Sequence, residues 1–202
     1  PDEEVKALVR RTSAGPPAAH RIELSSLSTV NALLYGPGSQ YRQEGICLLD
    51  TGAHSTTIVF LNRGNLVLLR KYDTGGEKLV EKIMESLEVD RETAVSMLSE
   101  GAIDLSVMVE SVMGFIIRQL SISRDFVERQ ENCRVRRLFL AGGMSVSPVW
   151  ADAVRRATDM DVQKWNPLEG LQAGPDVVPE GLRGKESLFA GAVGVGLGAY
   201  GL

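Results

Sequence analysis

The sequence predicts an α/β fold, a mixed five-stranded sheet flanked by helices, and three patterns carry that expectation. Ile46–Leu49, Thr57–Leu61 and Leu66–Tyr72 are short runs rich in β-formers, separated only by polar turns, and read as an antiparallel meander. From Leu79 to Arg129 the apolar residues then recur three and four apart, which is helical periodicity. Val135–Leu140 and Val162–Trp165 follow as two further strands alternating with helices, the order that makes a sheet mixed.

Each element has local reasons. Pro1–Thr12 should be a short amphipathic helix, with Pro1 and three acids at its start and Val5, Leu8 and Val9 on one face. Gly15-Pro16-Pro17 ends it. Arg21–Leu24 is expected to be a brief strand, and Ser25 or Ser26 the cap of a helix over Leu27–Leu34 that Gly36-Pro37-Gly38 stops. These opening elements have little to pack against within themselves, so residues 1–44 read as the tail of another unit and 45–202 as the main lobe.

After the meander, whose last turn is Asn62-Arg63-Gly64-Asn65, Thr74-Gly75-Gly76-Glu77 opens a helix carrying Leu79, Val80, Ile83, Met84 and Leu87. Asp90 should cap the next, with Ala94, Val95 and Leu98 apolar and Gly101 at its end. Asp104–Arg129 is the longest helix, with Leu105, Met108, Val112, Phe115, Ile116, Leu120 and Val127 in period. Ser147 and Pro148 suit the cap and first residue of a helix over Val149–Thr158. Gln172–Gly184, rich in Pro and Gly, is expected to be a surface loop. In Phe189–Tyr200, Gly191, Gly194, Gly196 and Gly198 recur. Glycine is costly in a helix, so this one should lie close against a neighbouring backbone.

Bulk properties exclude several roles. The 202 residues carry 26 acids and 22 bases, a net charge of −4, which argues against nucleic acid as a partner. The basic cluster Arg134–Arg137 reads as a solvated strand entrance. Cys47 and Cys133 make no disulfide framework and suit a reducing compartment. His20 and His54 lack metal-ligand spacing. No signal peptide is recognisable, and the uncharged stretch Ser187–Leu202 is too short and glycine-rich to span a bilayer.

Chemistry concentrates in Ile46–Phe60, ICLLDTGAHSTTIVF. An acid, Asp50, ends a strand; Gly52 follows, with Ser55 and Thr56 on the far side of the loop. Such a loop can aim backbone N–H groups and hydroxyls at an anion. Asp50 would repel a bare phosphate, so the arrangement calls for a cation between them, and Mg²⁺ suits one carboxylate plus phosphates. A plain polar hairpin is the alternative that spacing leaves open. For Gly142-Gly143 it is a simple strand-to-helix turn, and Gly75-Gly76 is taken as a helix start with little ligand role.

Four segments together resemble one superfamily. DTGAHSTT at Asp50–Thr57 is similar to the second phosphate loop of the actin-like ATPases, and LAGGMSVSP at Leu140–Pro148 to their adenosine-binding turn. TGGEKL at Thr74–Leu79 resembles their helix start, and FAGAVGVGLGAYG at Phe189–Gly201 their C-terminal glycine-rich helix. Finer features, IELSSLSTVNALL at Ile22–Leu34 and WNPLEGL at Trp165–Leu171, resemble the PilM family, the actin-like component of type IV pilus and type II secretion-like machines.

The resemblance implies an actin-like (ribonuclease-H-like) lobe over 45–202, with 1–44 a remnant of an N-terminal lobe and its connecting helix. It implies Mg²⁺ and ATP as cofactors. Asp50 would hold Mg²⁺ through water, Gly52, Ser55 and Thr56 would cradle the β- and γ-phosphates, and Gly142, Gly143 and Met144 would receive the purine and ribose. No first phosphate loop precedes Asp50, so the chain is expected to be a fragment. The family's ribose-binding Glu and Lys, three apart, align with Ala94 and Met97, which cannot bond a sugar hydroxyl. The implied role is an ATP-binding, weakly or non-catalytic scaffold. Its implied partner is the cytoplasmic tail of a PilN-like inner-membrane protein, which would keep it peripheral at the membrane's cytoplasmic face without insertion. Self-association stays open. Two other readings remain, a small-molecule kinase on this superfold and a cell-division actin relative. A kinase would need a general base that the sequence does not place, and the division protein a basic membrane helix that nothing after Lys185 supplies.

Overall fold

The computed structural model describes residues 2–12, 22–169, 171 and 183–200. Helix α1 (Asp2–Thr12) is followed by α2 (Ser25–Tyr35) and the meander β1 (Gly45–Thr51), β2 (Thr56–Asn62) and β3 (Asn65–Tyr72). Then come α3 (Gly76–Leu87), α4 (Arg91–Glu100) and α5 (Ser106–Glu131). The chain continues through β4 (Val135–Ala141), α6 (Pro148–Thr158), β5 (Asp161–Lys164) and α7 (Ala190–Ala199). Pro1, Gly15-Pro16-Pro17, His20, Arg21 and most of the expected loop, 172–182, lie outside the described residues.

The five strands form one sheet in the order β3-β2-β1-β4-β5. β1, β2 and β3 pair antiparallel, while β4 is parallel to both β1 and β5. The mixed sheet read from the sequence is therefore present. The hairpin turn between β2 and β3 has positive φ at Arg63 (52°) and Gly64 (75°), the twist that suits a two-residue connection.

Strand alternation splits the core in two. Cys47, Leu49, Ile58, Phe60, Leu138 and Leu140 face one way and pack with α3, α4, α5 and α6. Ile46, Leu48, Val59, Leu61, Phe139 and Ala141 face the other way and meet Val30, Ala32 and Leu33 of α2, Trp165, and Ala190 of α7. Helix α2 thus completes a layer of the lobe. A Cβ at Gly194 of α7 would overlap the Ser28 carbonyl of α2, so the glycine-rich helix does lie against a backbone.

Caps follow local chemistry. Asp90 accepts from Thr93 N–H at 2.8 Å, and Ser147 accepts from Trp150 N–H at 3.3 Å with Pro148 next to it. Gly101 ends α4 at φ 67°. The basic cluster is a neutralised strand entrance: Arg134 pairs with Glu128 at 3.0 Å, and Arg137 with Glu44 and Asp161 at 3.4 and 3.2 Å. Both cysteines are free.

Four local expectations change. Ile22–Leu24 is not a strand, because the Leu24 carbonyl accepts the first helical N–H bonds, from Leu27 and Ser28. Leu24 consequently sits at the cap of α2 without a side-chain bond, and Ser25 and Ser26 are already helical. On α5 the buried stripe is Val109, Met113, Ile116, Ile117, Leu120 and Val127, and Phe115 is left 47% exposed. Phe115 instead meets Tyr72 edge-on at 5.5 Å, above β3, the edge strand among the described residues. On α1, Val5, Leu8 and Val9 are exposed.

Candidate functional site

The site follows from topology. β1 and β4 are parallel neighbours with Asp50 opposite Ala141, so their carboxyl ends emerge side by side. β1 then turns toward β2 on one side, and β4 leads through α6 to β5 on the other. In an open α/β sheet such a switch point leaves a crevice beyond the strand ends. Asp50-Thr51-Gly52 and Ala141-Gly142-Gly143 both sit there.

Gly142 is required at its position. Its φ is 77°, and a Cβ would stand 2.5 Å from both Asp50 Oδ1 and the Thr51 carbonyl oxygen. Only glycine lets the second loop close over the acid. Gly143 then starts a 3₁₀ turn over Gly143–Val146 that carries Met144.

The acidic loop is tied down by backbone. Gly52 N–H donates to the Ser55 carbonyl at 2.9 Å, and the first amides of α3, on Gly76 and Glu77, donate to the Gly52 and Ala53 carbonyls at 2.9 and 2.8 Å. Gly75 fits beneath because a Cβ would lie 2.5 Å from those same carbonyl oxygens. The Gly-Gly pair therefore docks the loop on the helix start, more than the sequence reading gave it. Ser55 is half-buried on the loop's far side. Thr56 Oγ1 is buried and donates its one proton to the Thr74 carbonyl at 2.7 Å, bracing the loop from behind.

Asp50 points to the α2 face, following the alternation of Ile46 and Leu48. Thr29 Oγ1 shares its one proton between the Ser25 carbonyl at 3.0 Å and Asp50 Oδ2 at 3.3 Å. Burial raises its carboxyl above the usual range, with the Thr29 bond pulling weakly the other way. A half-buried anion of this kind suits a cation placed nearby. A hydrated Mg²⁺ fits the donor set, one carboxylate with room for phosphate oxygens, better than an all-protein cage would. Among the described residues no cluster of three or more metal-ligating side chains exists.

Beside the loop lies a cavity of about 190 Å³, lined by Gly52 and Ala53, by Gly76, Glu77 and Val80 of α3, by Val95, Leu98 and Ser99 of α4, and by Gly143, Met144, Val146 and Ser147. That volume is below the roughly 300–1,000 Å³ of whole-ligand pockets. It suits a small, flat, largely apolar group with one polar end. Met144 closes its floor, as a Cβ on Gly76 would meet Met144 Sδ. Gly52, Gly143 and Met144 line this cavity, whereas Gly142, packed against Asp50, and Asp50 itself do not.

On the α4 side the lining differs from the sequence expectation. Ala94 is fully buried in the core and Met97 packs against that core, so neither lines the cavity. The residues that do are Val95, Leu98 and Ser99, one helical step away. The sequence reading also missed Glu77 and Thr29. Glu77 was signalled by its place directly after Gly75-Gly76, whereas nothing local marks Thr29, which reaches Asp50 only through packing of α2.

The profile of a family described as type IV pilus assembly protein PilM matches residues 25–200. No curated protein matches the chain by sequence. Among solved structures, the PilM–PilN type IV pilus biogenesis complex superposes with a TM-score of 0.80 at 18% identity, covering 97% of this chain and 57% of that one. MreB5 of Spiroplasma citri bound to ADP gives 0.61 at 12% identity, covering 97% and 64%. The archaeal actin homologue Ta0583 in its native form gives 0.57 at 18%, covering 89% and 56%. The chain thus spans less than two thirds of each of these relatives.

Proposed function

The chain belongs to the PilM family of type IV pilus assembly proteins, and from that premise we propose that it works as an actin-like, nucleotide-binding scaffold of a pilus assembly machine. The fold is actin-like. The observation that carries the nucleotide half of the proposal is the switch-point crevice, where an acid, a backbone-braced loop and an apolar cavity adjoin. In this reading Asp50 holds hydrated Mg²⁺. Gly52, its N–H spent on the Ser55 carbonyl, shapes the loop together with Thr56, and phosphate oxygens meet the N–H groups of residues 53–55 and the Ser55 hydroxyl. The nucleoside enters between Gly143-Met144 and Val95-Leu98, with Gly142 permitting the approach.

The acid inside the cavity is a poor general base, whereas Asp50, raised by burial, lies outside its lining. Glu77, the one carboxylate lining the cavity, is tied to Arg91, which holds it below the usual carboxylate range. A general base works best with a pKa near the operating pH. Support for the scaffold half is the likeness to PilM in complex with PilN. We propose a PilN-like tail as the partner and the cytoplasmic face of the inner membrane as the location. Among the described residues no helix is long and apolar enough to cross a membrane.

Calorimetry with two titrants tests both halves. Mg²⁺–ATP should bind the 202-residue chain weakly, and Asp50→Ala should lower that affinity about tenfold, since hydrogen bonds and contacts to charged groups contribute roughly 1.5–3 kcal/mol. A synthetic PilN-like tail peptide should bind the 202-residue chain detectably. Equal ATP affinity in both proteins would remove the phosphate-loop assignment, and no peptide binding would remove the partner reading for this chain.

A further inference from the structure

The two edges of the sheet are finished differently. β5 is four residues long, begins and ends on Asp161 and Lys164, and has Arg137 paired with Asp161 at 3.2 Å. Short, charged strands are how edges are kept from pairing. β3, the other edge among the described residues, runs for eight residues, with Leu66 and Leu69 47% and 37% exposed on it. Above it, α5 packs on β2 and β3 alike. The Tyr72 hydroxyl donates to Gln119 Oε1 at 3.2 Å, and the Asn62 amide, opposite Asn65, donates to Glu131 Oε2 at 3.2 Å. Helix and strand therefore run in opposite directions. Phe115, Ile122 and Phe126 fall on one stripe of α5 by their helical spacing, and each is about half exposed.

A second copy of the chain completes both layers at once. Antiparallel pairing of β3 with its own counterpart, about a two-fold axis at Leu69, sets Arg70 opposite Leu68 of the partner subunit, on one face of the sheet. Moving the axis to Arg70 would set arginine against arginine, which like charge disfavours. With strands about 4.8 Å apart, a helix seated between β2 and β3 then lies about 10 Å from its counterpart, the ordinary distance of two packed helices. Ile122 falls nearest the axis, and Phe115 and Phe126 extend the apolar seam to either side. Arg118 stands four residues before Ile122 and Asp125 three after it. The two-fold therefore brings Arg118 beside Asp125 of the partner subunit, and repeats that pair on the other side. Within the chain both are loosely held, Arg118 at 3.9 Å from Glu110 and Asp125 at 3.9 Å from Arg124, and their side chains are 66% and 61% exposed.

We propose that β3 and α5 form the face on which two copies of this chain associate, joining their two five-stranded sheets edge to edge with an α5–α5 seam on one side. The proposal does not draw on the nucleotide reading, and the crevice beyond β1 and β4 lies outside the seam. An eight-residue strand gives an edge about 25 Å long, which places the contact among the smaller specific interfaces and its dissociation constant near 10 µM, as an order of magnitude.

The test is sedimentation velocity of the 202-residue chain over about 2–200 µM, a span that brackets the expected constant. Wild type should pass from monomer to dimer and stop there. Ile122→Lys alters a side chain that is 55% exposed in the single chain, so it should leave the fold intact and keep the protein monomeric throughout. Arg118→Asp sets acid against Asp125 of the partner subunit, twice by symmetry, and should weaken the dimer about tenfold. Adding Asp125→Arg to that variant reverses both charges and should restore wild-type association, which a misfolded protein could not do. Monomeric wild type at the highest concentration would overturn the proposal and leave this edge to an extended segment of a different protein. Association that Ile122→Lys does not change, that grows beyond the dimer, or that the reversed pair fails to restore would overturn it as well.

Discussion

The two faces of the sheet solve the same burial problem in different ways. Toward α3, α4, α5 and α6 the space is filled by volume: Phe60, Ile83, Ile116, Leu120 and Trp150 are all fully buried there. Toward α2 and α7 it is closed by approach. Leu33 and Trp165 fill part of the layer, but where α7 meets α2 the backbone of α7 comes down on the Ser28 carbonyl at Gly194. The site lies where the faces meet. Asp50 is reached from the thin side through Thr29, while the cavity with Met144, Val95 and Glu77 opens on the thick side. Asp50 and the cavity thus belong to different layers, and the two layers should fail differently when changed.

The largest effect belongs to the thin face. Gly194→Val puts atoms where the α2 backbone already is, and backbone cannot repack around them as side chains do. Overfilling a core costs about 1–3 kcal/mol where neighbours can give. Here the expected loss is about 3 kcal/mol or more, enough to remove most of a small domain's stability. Circular dichroism melts should show a broad, early transition or no folded protein. A melting temperature within two degrees of wild type would mean that α7 does not rest on α2 in solution.

Asp50 offers a middle-sized test with a defined pH sign. Its carboxyl is raised by burial in the folded chain, so folded protein holds the proton more tightly than unfolded protein does. Stability from this group is highest below the unfolded value, about 3.9, and falls as pH rises through the raised folded value. Above that window the buried charge is a standing cost. Asp50→Asn removes it and should raise the melting temperature at pH 7 by about 2–4 °C, the equivalent of 1 kcal/mol at this length. The gap should close as pH is lowered toward 4. A variant less stable than wild type at pH 7 would show that the carboxylate is already well compensated.

How much of this was legible in the sequence depends on whether the cause was local. Strands, caps and the two glycine loops were readable because their signals lie within a few residues: Asp50-Thr51-Gly52 after an apolar run, Asp90 three before Thr93, Pro148 after Ser147. The resemblance carried across the chain what no single motif could. What failed was set by packing. Of the stripe expected on α5 only Phe115 leaves the core, and it meets Tyr72 of the edge strand β3. Ala94 and Met97 lost the cavity to Val95 and Leu98 for the same kind of reason, since a helix's rotation about its axis is fixed by neighbours and not by its own period. Thr29 and Glu77 acquire partners 21 and 14 residues away.

The smallest prediction separates approach from mere glycine content. Gly196 lies two residues from Gly194 on the same helix, is exposed, and has nothing within 4 Å of where its Cβ would be. If all four glycines were there for packing, Gly196→Ala would cost stability as Gly194→Val does. If only close approach demands glycine, Gly196→Ala removes a flexible residue from an exposed helical position and gains about 0.5 kcal/mol. That corresponds to a rise of about 1–2 °C for a domain of this size. Paired melts of the two variants decide between these accounts. A fall for Gly196→Ala would mean that this side of α7 is covered in the folded protein by something beyond the residues that touch it here, whereas opposite signs two residues apart would fix the thin face as a contact made by Gly194 against Ser28.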